Sequence, residues 1–288
     1  MIFLLLAILG SALIPVLFRA FADWRVNVFW AIPINYLTCV FIGSVWGGDA
    51  LALVNLPSQS WFWLAILQGV ILAVNFFLLA YTAQRAGVSV AALASRLSVA
   101  IPAFLAFLFY GDSLSVVKIL GLAAALLSLY LCTVSKEGAA SARLFANRFL
   151  PVLVFLSFGC YFVVIKYAQA HYLNETSFHA YVISGFLFAF LTALAICLAR
   201  GLLVLTQFRW LHALAGLFLG VVNYVAVYGL VKALALEGWQ SSQLLPIYSV
   251  GVIAVSSLLA LLFFRETLSR QKTVGLVIGL MAVVLLNQ

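Results

Sequence analysis

The run IFLLLAILGSALIPVLF at residues 2–18 contains no charge, and comparable apolar runs recur nine more times along the chain. They fall near 28–46, 61–82, 88–109, 114–134, 149–171, 177–199, 211–235, 240–263 and 272–287. A hydrocarbon slab of about 30 Å is crossed by about 20 residues of helix. Inside that slab every backbone N–H and C=O needs an internal partner, which leaves helices and closed barrels as the spanning structures. The runs here are continuous rather than alternating and about twice a barrel strand's length, so the barrel is excluded. An all-α integral membrane fold of ten transmembrane helices follows. With 67% hydrophobic and 8% charged residues over 288 positions, the chain is too apolar for a soluble domain. Its linkers are too short to hold one, or an ATP-binding cassette or P-loop.

The net charge of +8 is distributed at the helix ends, which fits a lipid surface better than a nucleic acid. Loops 1–2, 3–4, 5–6, 7–8 and 9–10 carry eleven Lys and Arg residues, and the other loops carry three, Lys118, Lys166 and Lys232. That bias predicts the first set on the cytoplasmic side and both termini outside. Met1 runs straight into the first span, with Arg19 and Arg25 following it, so no cleavable signal peptide is expected. Cys39, Cys132, Cys160 and Cys197 lie inside predicted spans without CxxC spacing and read as small packing residues. His171, His179 and His212 sit near span ends with no metal-ligand spacing. No metal, cofactor or catalytic residue is expected.

The chain also repeats itself. FYGDSLS at 109–115 matches FFRETLS at 263–269, and at the same offset of 154 Lys118 meets Lys272 and Gly121 meets Gly275. Upstream, VNFF at 74–77 answers VNYV at 222–225, and RAGVS at 85–89 answers LEGWQ at 236–240. Two five-helix halves, 1–135 and 149–288, give the simplest reading. Five is odd, so the second half crosses the membrane in the opposite sense, as in transporters built from inverted repeats.

Ten short-looped helices in two such halves resemble the drug/metabolite transporter superfamily, in particular its EamA-like family. The matching residues are a basic one after the first helix of each half (Arg19, Lys166), an acid after the fourth (Asp112, Glu266) and a glycine in the fifth (Gly121, Gly275). The resemblance implies a substrate cavity lined by helices 1–4 and 6–9, with helices 5 and 10 peripheral. Many relatives have a basic loop between helices 2 and 3, whereas WGGDALALVNLPSQS has none. Small multidrug exporters of the superfamily rely on a glutamate in the first helix, and none stands in 2–18.

All seven acids fall at span ends or in loops. Asp112 and Glu266 are expected to complement the positive ends of the helices that follow them, with Ser115 and Ser269 as caps. Arg96 is therefore the one deep charge, about 12 Å into its helix at 1.5 Å per residue. Embedding a guanidinium there costs a few kcal/mol or more unless a partner or water meets it. Ser89, Ala92, Ala100 and Ala103 share its face. If helices 3 and 4 turn near 85–86, Asn75 lies at the same depth, and the two could converge on an anionic or amide-bearing group. Asn223 matches Asn75 in the repeat, and Asn35, Tyr224, Tyr228, Gln243 and Tyr248 could offer further amides, hydroxyls and ring faces. Packing or lipid anchoring is the favoured reading of each tyrosine taken singly, and a bridge to backbone carbonyls is the rival reading of Arg96. Pro15, Pro33, Pro102 and Pro246 interrupt helices; Pro102 lacks the amide that would bond the Ser98 carbonyl.

These features point to a secondary transporter of a small organic metabolite, an amino acid or organic anion, working by alternating access; the resemblance implies export rather than uptake. The alternative is an exporter of neutral or drug-like compounds in which Arg96 is structural. The expected partners are the small-molecule substrate and the lipid bilayer, with no nucleic acid, for a monomer in the cell (plasma or inner) membrane.

Overall fold

The computed structural model describes residues 2–46, 55–102, 104–105, 116–133, 142–201, 208–234, 241–266 and 269–286. Among these there are ten α-helices, one 3-10 turn at Leu56–Ser58 and no strand. The helices are α1 Ile2–Asp23, α2 Val28–Trp46, α3 Phe62–Arg85, α4 Val88–Leu97 and α5 Val116–Thr133 in the first half. The second half supplies α6 Ala142–His171, α7 Glu175–Ala199, α8 Trp210–Leu234, α9 Ser241–Phe264 and α10 Arg270–Leu286. Seven of them are long and apolar enough to cross a membrane, and shorter apolar helices run at Val88–Pro102 and Ile119–Cys132. Large apolar side chains such as Leu5, Phe41, Phe218, Leu258 and Phe263 lie exposed, as befits surfaces that face acyl chains.

Local chemistry sets several boundaries. α7 opens on a capping box: the Asn174 side chain accepts from Ser177 N–H at 2.8 Å, and Asn174 N–H donates to Ser177 Oγ at 2.9 Å. α10 opens on Ser269, whose hydroxyl accepts from Lys272 N–H at 3.3 Å, as the sequence predicts. α1 and α9 both end on an arginine in the left-handed region, Arg25 at φ 54° and Arg265 at φ 48°. There the following amide reaches back to close the helix, Val26 N–H to Phe21 O at 2.8 Å and Glu266 N–H to Ala260 O at 3.3 Å.

The helices sort into two compact units that cut across the two sequence halves. The first contains residues 1–19, 78–159 and 226–288, and the second contains 20–77 and 160–225. α5 and α10 pair within the first unit. A Cβ on Gly121 would lie 3.1 Å from Leu285 and Leu286, and one on Gly275 would lie 2.7 Å from Cys132 Sγ. The Ser128 hydroxyl donates to the Gly275 carbonyl at 2.6 Å. The two glycines shared by the repeat are thus close-packing points.

In the second unit α2 packs on α7 and α8 closes on α2. Gly216 and Gly220, four residues apart, face the α2 backbone, where a Cβ would come within 2.7 Å of the Ala31 and Asn35 carbonyl oxygens. This small-xxx-small spacing lets two helix backbones approach.

Candidate functional site

The first unit holds the charge chemistry. α4 begins after Gly87, whose φ of 110° is accessible to glycine and strained for other residues. The Glu266 carboxylate lies directly against that glycine's Cα. Its Oε2 accepts from Val88 N–H at 3.1 Å. This differs from the expectation that Glu266 serves the helix following it. The left-handed turn at Arg265 aims the carboxylate at the positive end of α4 instead, where free amides and the helix dipole favour an anion. Asp112 and Ser115, the repeat counterparts, lie outside the described residues.

Burial pushes the Glu266 carboxyl above its ordinary value. The amides of Ser89 and Val88 and the charges of Lys272 and Arg19 pull the other way without overcoming it. Neighbouring helix ends are laced together: Arg19 donates to the Gln84 carbonyl at 3.2 Å, and Gln84 donates back to the Phe18 carbonyl at 2.9 Å. The Arg19 guanidinium also sits 5.9 Å from the Phe264 ring centroid.

Further along α4 the hydroxyls turn inward. Ser95 donates to the Ala92 carbonyl at 2.9 Å, and Ser98 donates to the Ser95 carbonyl at 2.5 Å. A first regular stretch ends at Leu97, the chain is helical again at 100–102 and 104–105, and residues 103 and 106–109 of the predicted span lie outside the described residues. Residues 98–99 form a turn, with Val99 N–H reaching Arg96 O at 3.4 Å and Ile101 N–H reaching Ser98 O at 3.0 Å. Pro102 cannot offer its amide to Ser98, so the three-residue bond from Ile101 takes that place and tightens the chain.

Arg96 stands one residue before this break. Its guanidinium carbon is 4.8 Å from the ring centroid of Tyr248 on α9. That is cation–π range, and the attraction is stronger where water is excluded. The Tyr248 hydroxyl in turn is 2.6 Å from Ser11 Oγ on α1. Both Ser11 and Tyr248 are buried, while Arg96 is half-buried with its Nε buried and without a hydrogen-bond partner. Ser89, two turns before Arg96 on its face, is also buried with its Oγ unpartnered. Tyr248 shares a buried apolar cluster with Leu4, Ala7, Ile8 and Val252. Of the sequence candidates, the structure therefore brings Arg96 and Tyr248 together. Ser11 was missed, because one serine in an apolar helix carries no spacing signal.

The second unit holds neutral polar groups instead. Asn223 Nδ2 donates to Asn35 Oδ1 at 3.2 Å, with both residues buried and Asn35 Nδ2 lacking an acceptor. One turn on, the Cys39 thiol points to the Gly220 carbonyl at 3.4 Å. The Tyr36 hydroxyl donates to the Leu72 carbonyl at 2.8 Å. Gln68, 2% exposed, lies on Gly185 with its Oε1 unpartnered. Gln68 and Tyr36 were absent from the sequence reading. The GLFLG spacing of Gly216 and Gly220 was a signal that could have placed Asn223 against α2.

Asn75 is fully buried on α3 in the second unit, whereas Arg96 belongs to the first. Tyr224 is buried against Gly43. Tyr228 is 40% exposed, edge-on to Phe3 with Lys232 5.7 Å from its ring centroid. Gln243 lies in α9, and its side chain is outside the described residues. His212 is buried and its Nδ1 accepts from Asn27 N–H at 3.4 Å. Among the described residues no three His, Cys, Asp or Glu side chains gather as a metal site.

Comparison with known proteins agrees with this architecture. An uncharacterized protein of Haemophilus influenzae (strain Rd) is 24% identical over 288 residues, covering 97% of this chain and 95% of its own. A solved crystal structure superposes with a TM-score of 0.60 at 15% identity, over 98% of this chain and 94% of the other, and so shares the fold. The model of the EamA-like transporter family matches residues 1–134 and again 148–288. The two matches take in nearly the whole chain, which is a multi-pass membrane protein of the EamA-like transporter family.

Proposed function

We propose that this transporter moves a small organic anion, or an amino acid through its carboxylate, out of the cell across the plasma membrane, and that Arg96 binds the anionic group. The carrying observation is the guanidinium beside a helix break, its carbon over the Tyr248 ring at 4.8 Å, with a buried Nε that has no partner. A buried donor left open costs about 1–3 kcal/mol, and an arriving acceptor recovers it. The repeat supports two inverted halves working by alternating access, the two-fold family match being consistent with it. Asn75, Asn35, Asn223, Tyr224, Tyr228 and Gln243 remain candidates for contacts to the rest of the substrate.

The rival reading, a neutral or drug-like cargo with Arg96 structural, draws on the same ring contact, since Tyr248 already partners the cation. A thermal-shift screen of the purified chain against metabolite classes, repeated with Arg96→Ala, separates the two. Stabilisation by anions that disappears in the variant supports anion binding, and stabilisation that survives unchanged favours the neutral cargo. Flux in proteoliposomes of defined orientation then tests direction.

A further inference from the structure

Three side chains from three helices are linked in series: Ser11 Oγ to the Tyr248 hydroxyl at 2.6 Å, and the Tyr248 ring to the Arg96 guanidinium at 4.8 Å. The middle member has little freedom. It belongs to a buried apolar cluster with Leu4, Ile8 and Val252, and the hydrogen bond to Ser11 anchors its hydroxyl. A ring held in this way, 4.8 Å from the guanidinium carbon, occupies one side of the group. The Nε–H edge of the guanidinium is buried with no acceptor. Nε–H and a neighbouring Nη–H point in parallel at a spacing that matches the two oxygens of a carboxylate. A primary amide offers one oxygen and two opposing N–H groups, so the same edge rejects it.

We propose that Ser11 is a positioning residue which, through Tyr248, fixes the plane of Arg96 so that its Nε edge selects a carboxylate over the isosteric amide. The proposal rests on the reading of Arg96 as the anion-binding group. Ser11 touches no ligand in this scheme. Without its hydroxyl the tyrosine ring tilts, the guanidinium follows, and the two parallel donors lose their common aim while the charge stays.

The test uses the full chain purified in detergent, with phenylacetate and hexanoate as carboxylate probes and their primary amides as neutral controls. Affinities are read from the concentration dependence of the thermal shift. The wild type is expected to prefer each carboxylate to its amide. Ser11→Ala and Tyr248→Phe should each weaken the carboxylates about fivefold, the equivalent of one neutral hydrogen bond, and leave the amides unchanged. The double variant should be no weaker than either single one, because both remove the same link. Ser11→Thr, which keeps the hydroxyl, should restore the preference.

If Ser11→Ala and Tyr248→Phe retain wild-type selectivity while Arg96→Ala loses it, the anion site stands and the positioning role falls. Equal weakening of carboxylate and amide also overturns the role, since a merely structural hydrogen bond would act on both. If Arg96→Ala keeps the preference, or the wild type has none, the anion reading itself fails and takes the proposal with it. Should Ser11→Ala not fold, Tyr248→Phe and Ser11→Thr decide the matter alone.

Discussion

The two units solve the burial of polar groups differently. The first accepts charge: Arg96 on a ring, Glu266 on the head of α4, Arg19 on the Gln84 carbonyl. The second accepts neutral groups, an Asn35–Asn223 amide pair and a tyrosine on a carbonyl, and sets them beside glycines that bring the helices together. The difference follows from what each solution demands. A charge away from water needs a partner of particular geometry, here supplied by helix ends, breaks and ring faces. A neutral amide needs one reciprocal contact, and close helix packing brings that partner within reach.

The largest test of this contrast is Gly220→Val. Its side chain would stand 2.5 Å from Thr38 Cβ and 2.7 Å from the Asn35 carbonyl oxygen. A loss of about 3 kcal/mol is expected in reversible detergent unfolding, because two backbones cannot part without opening the amide pair. Next comes Gly87→Ala in the first unit. A left-handed φ and the Glu266 carboxylate at the new Cβ predict a cost of about 2 kcal/mol. If the second change costs more than the first, the glycine-dependent unit has been misassigned.

Glu266→Ala removes a helix cap and should cost about 1 kcal/mol at neutral pH. Its pH dependence has a definite sign. Burial raises the folded-state value above the ordinary 4.5, so in the window above 4.5 the folded chain holds a proton that the unfolded chain has released. The stability of the wild type relative to Glu266→Gln should therefore fall as pH rises through that window. A melting series from about pH 4 to 8 reads it, and an opposite slope would mean that the amides outweigh burial. The smallest effect belongs to Asn35→Ala, at about 0.6 kcal/mol, the typical worth of an interhelical hydrogen bond inside a membrane. A cost several times larger would show that the neutral unit depends on its amides as the charged unit depends on its ions.

Much of this was legible in the sequence because the bilayer demands it. The spans, the repeat and the lone deep arginine each leave a mark that hydrophobicity or spacing reveals. Tyr248 emerged as a candidate because it could offer a hydroxyl and a ring face. What stayed hidden were contacts set by the third dimension. Ser11 is one hydroxyl in an apolar run, and its partner stands 237 residues away. Glu266 was assigned to the helix beside it in sequence, since a dipole argument looks forward along the chain. The single left-handed residue at Arg265 redirected it. The turn at 98–99 inside the apolar run was hidden for a related reason: the serines and proline at 95–102 break the helix locally, which hydrophobicity does not register.

The capping of α4 by Glu266 also bears on how the protein is made. Glu266 lies 178 residues downstream of the amide it caps. At synthesis rates of about 5–20 residues per second, the two are separated by roughly ten to forty seconds of translation. Throughout that interval the segment carrying Arg96 is already at or in the bilayer, with the head of its helix open. The first half of the chain is therefore held in an unfinished state by its own successor. A truncation after residue 135, though it contains five complete apolar runs, should present an α4 whose amides exchange freely, and adding the second half as a separate chain should protect them.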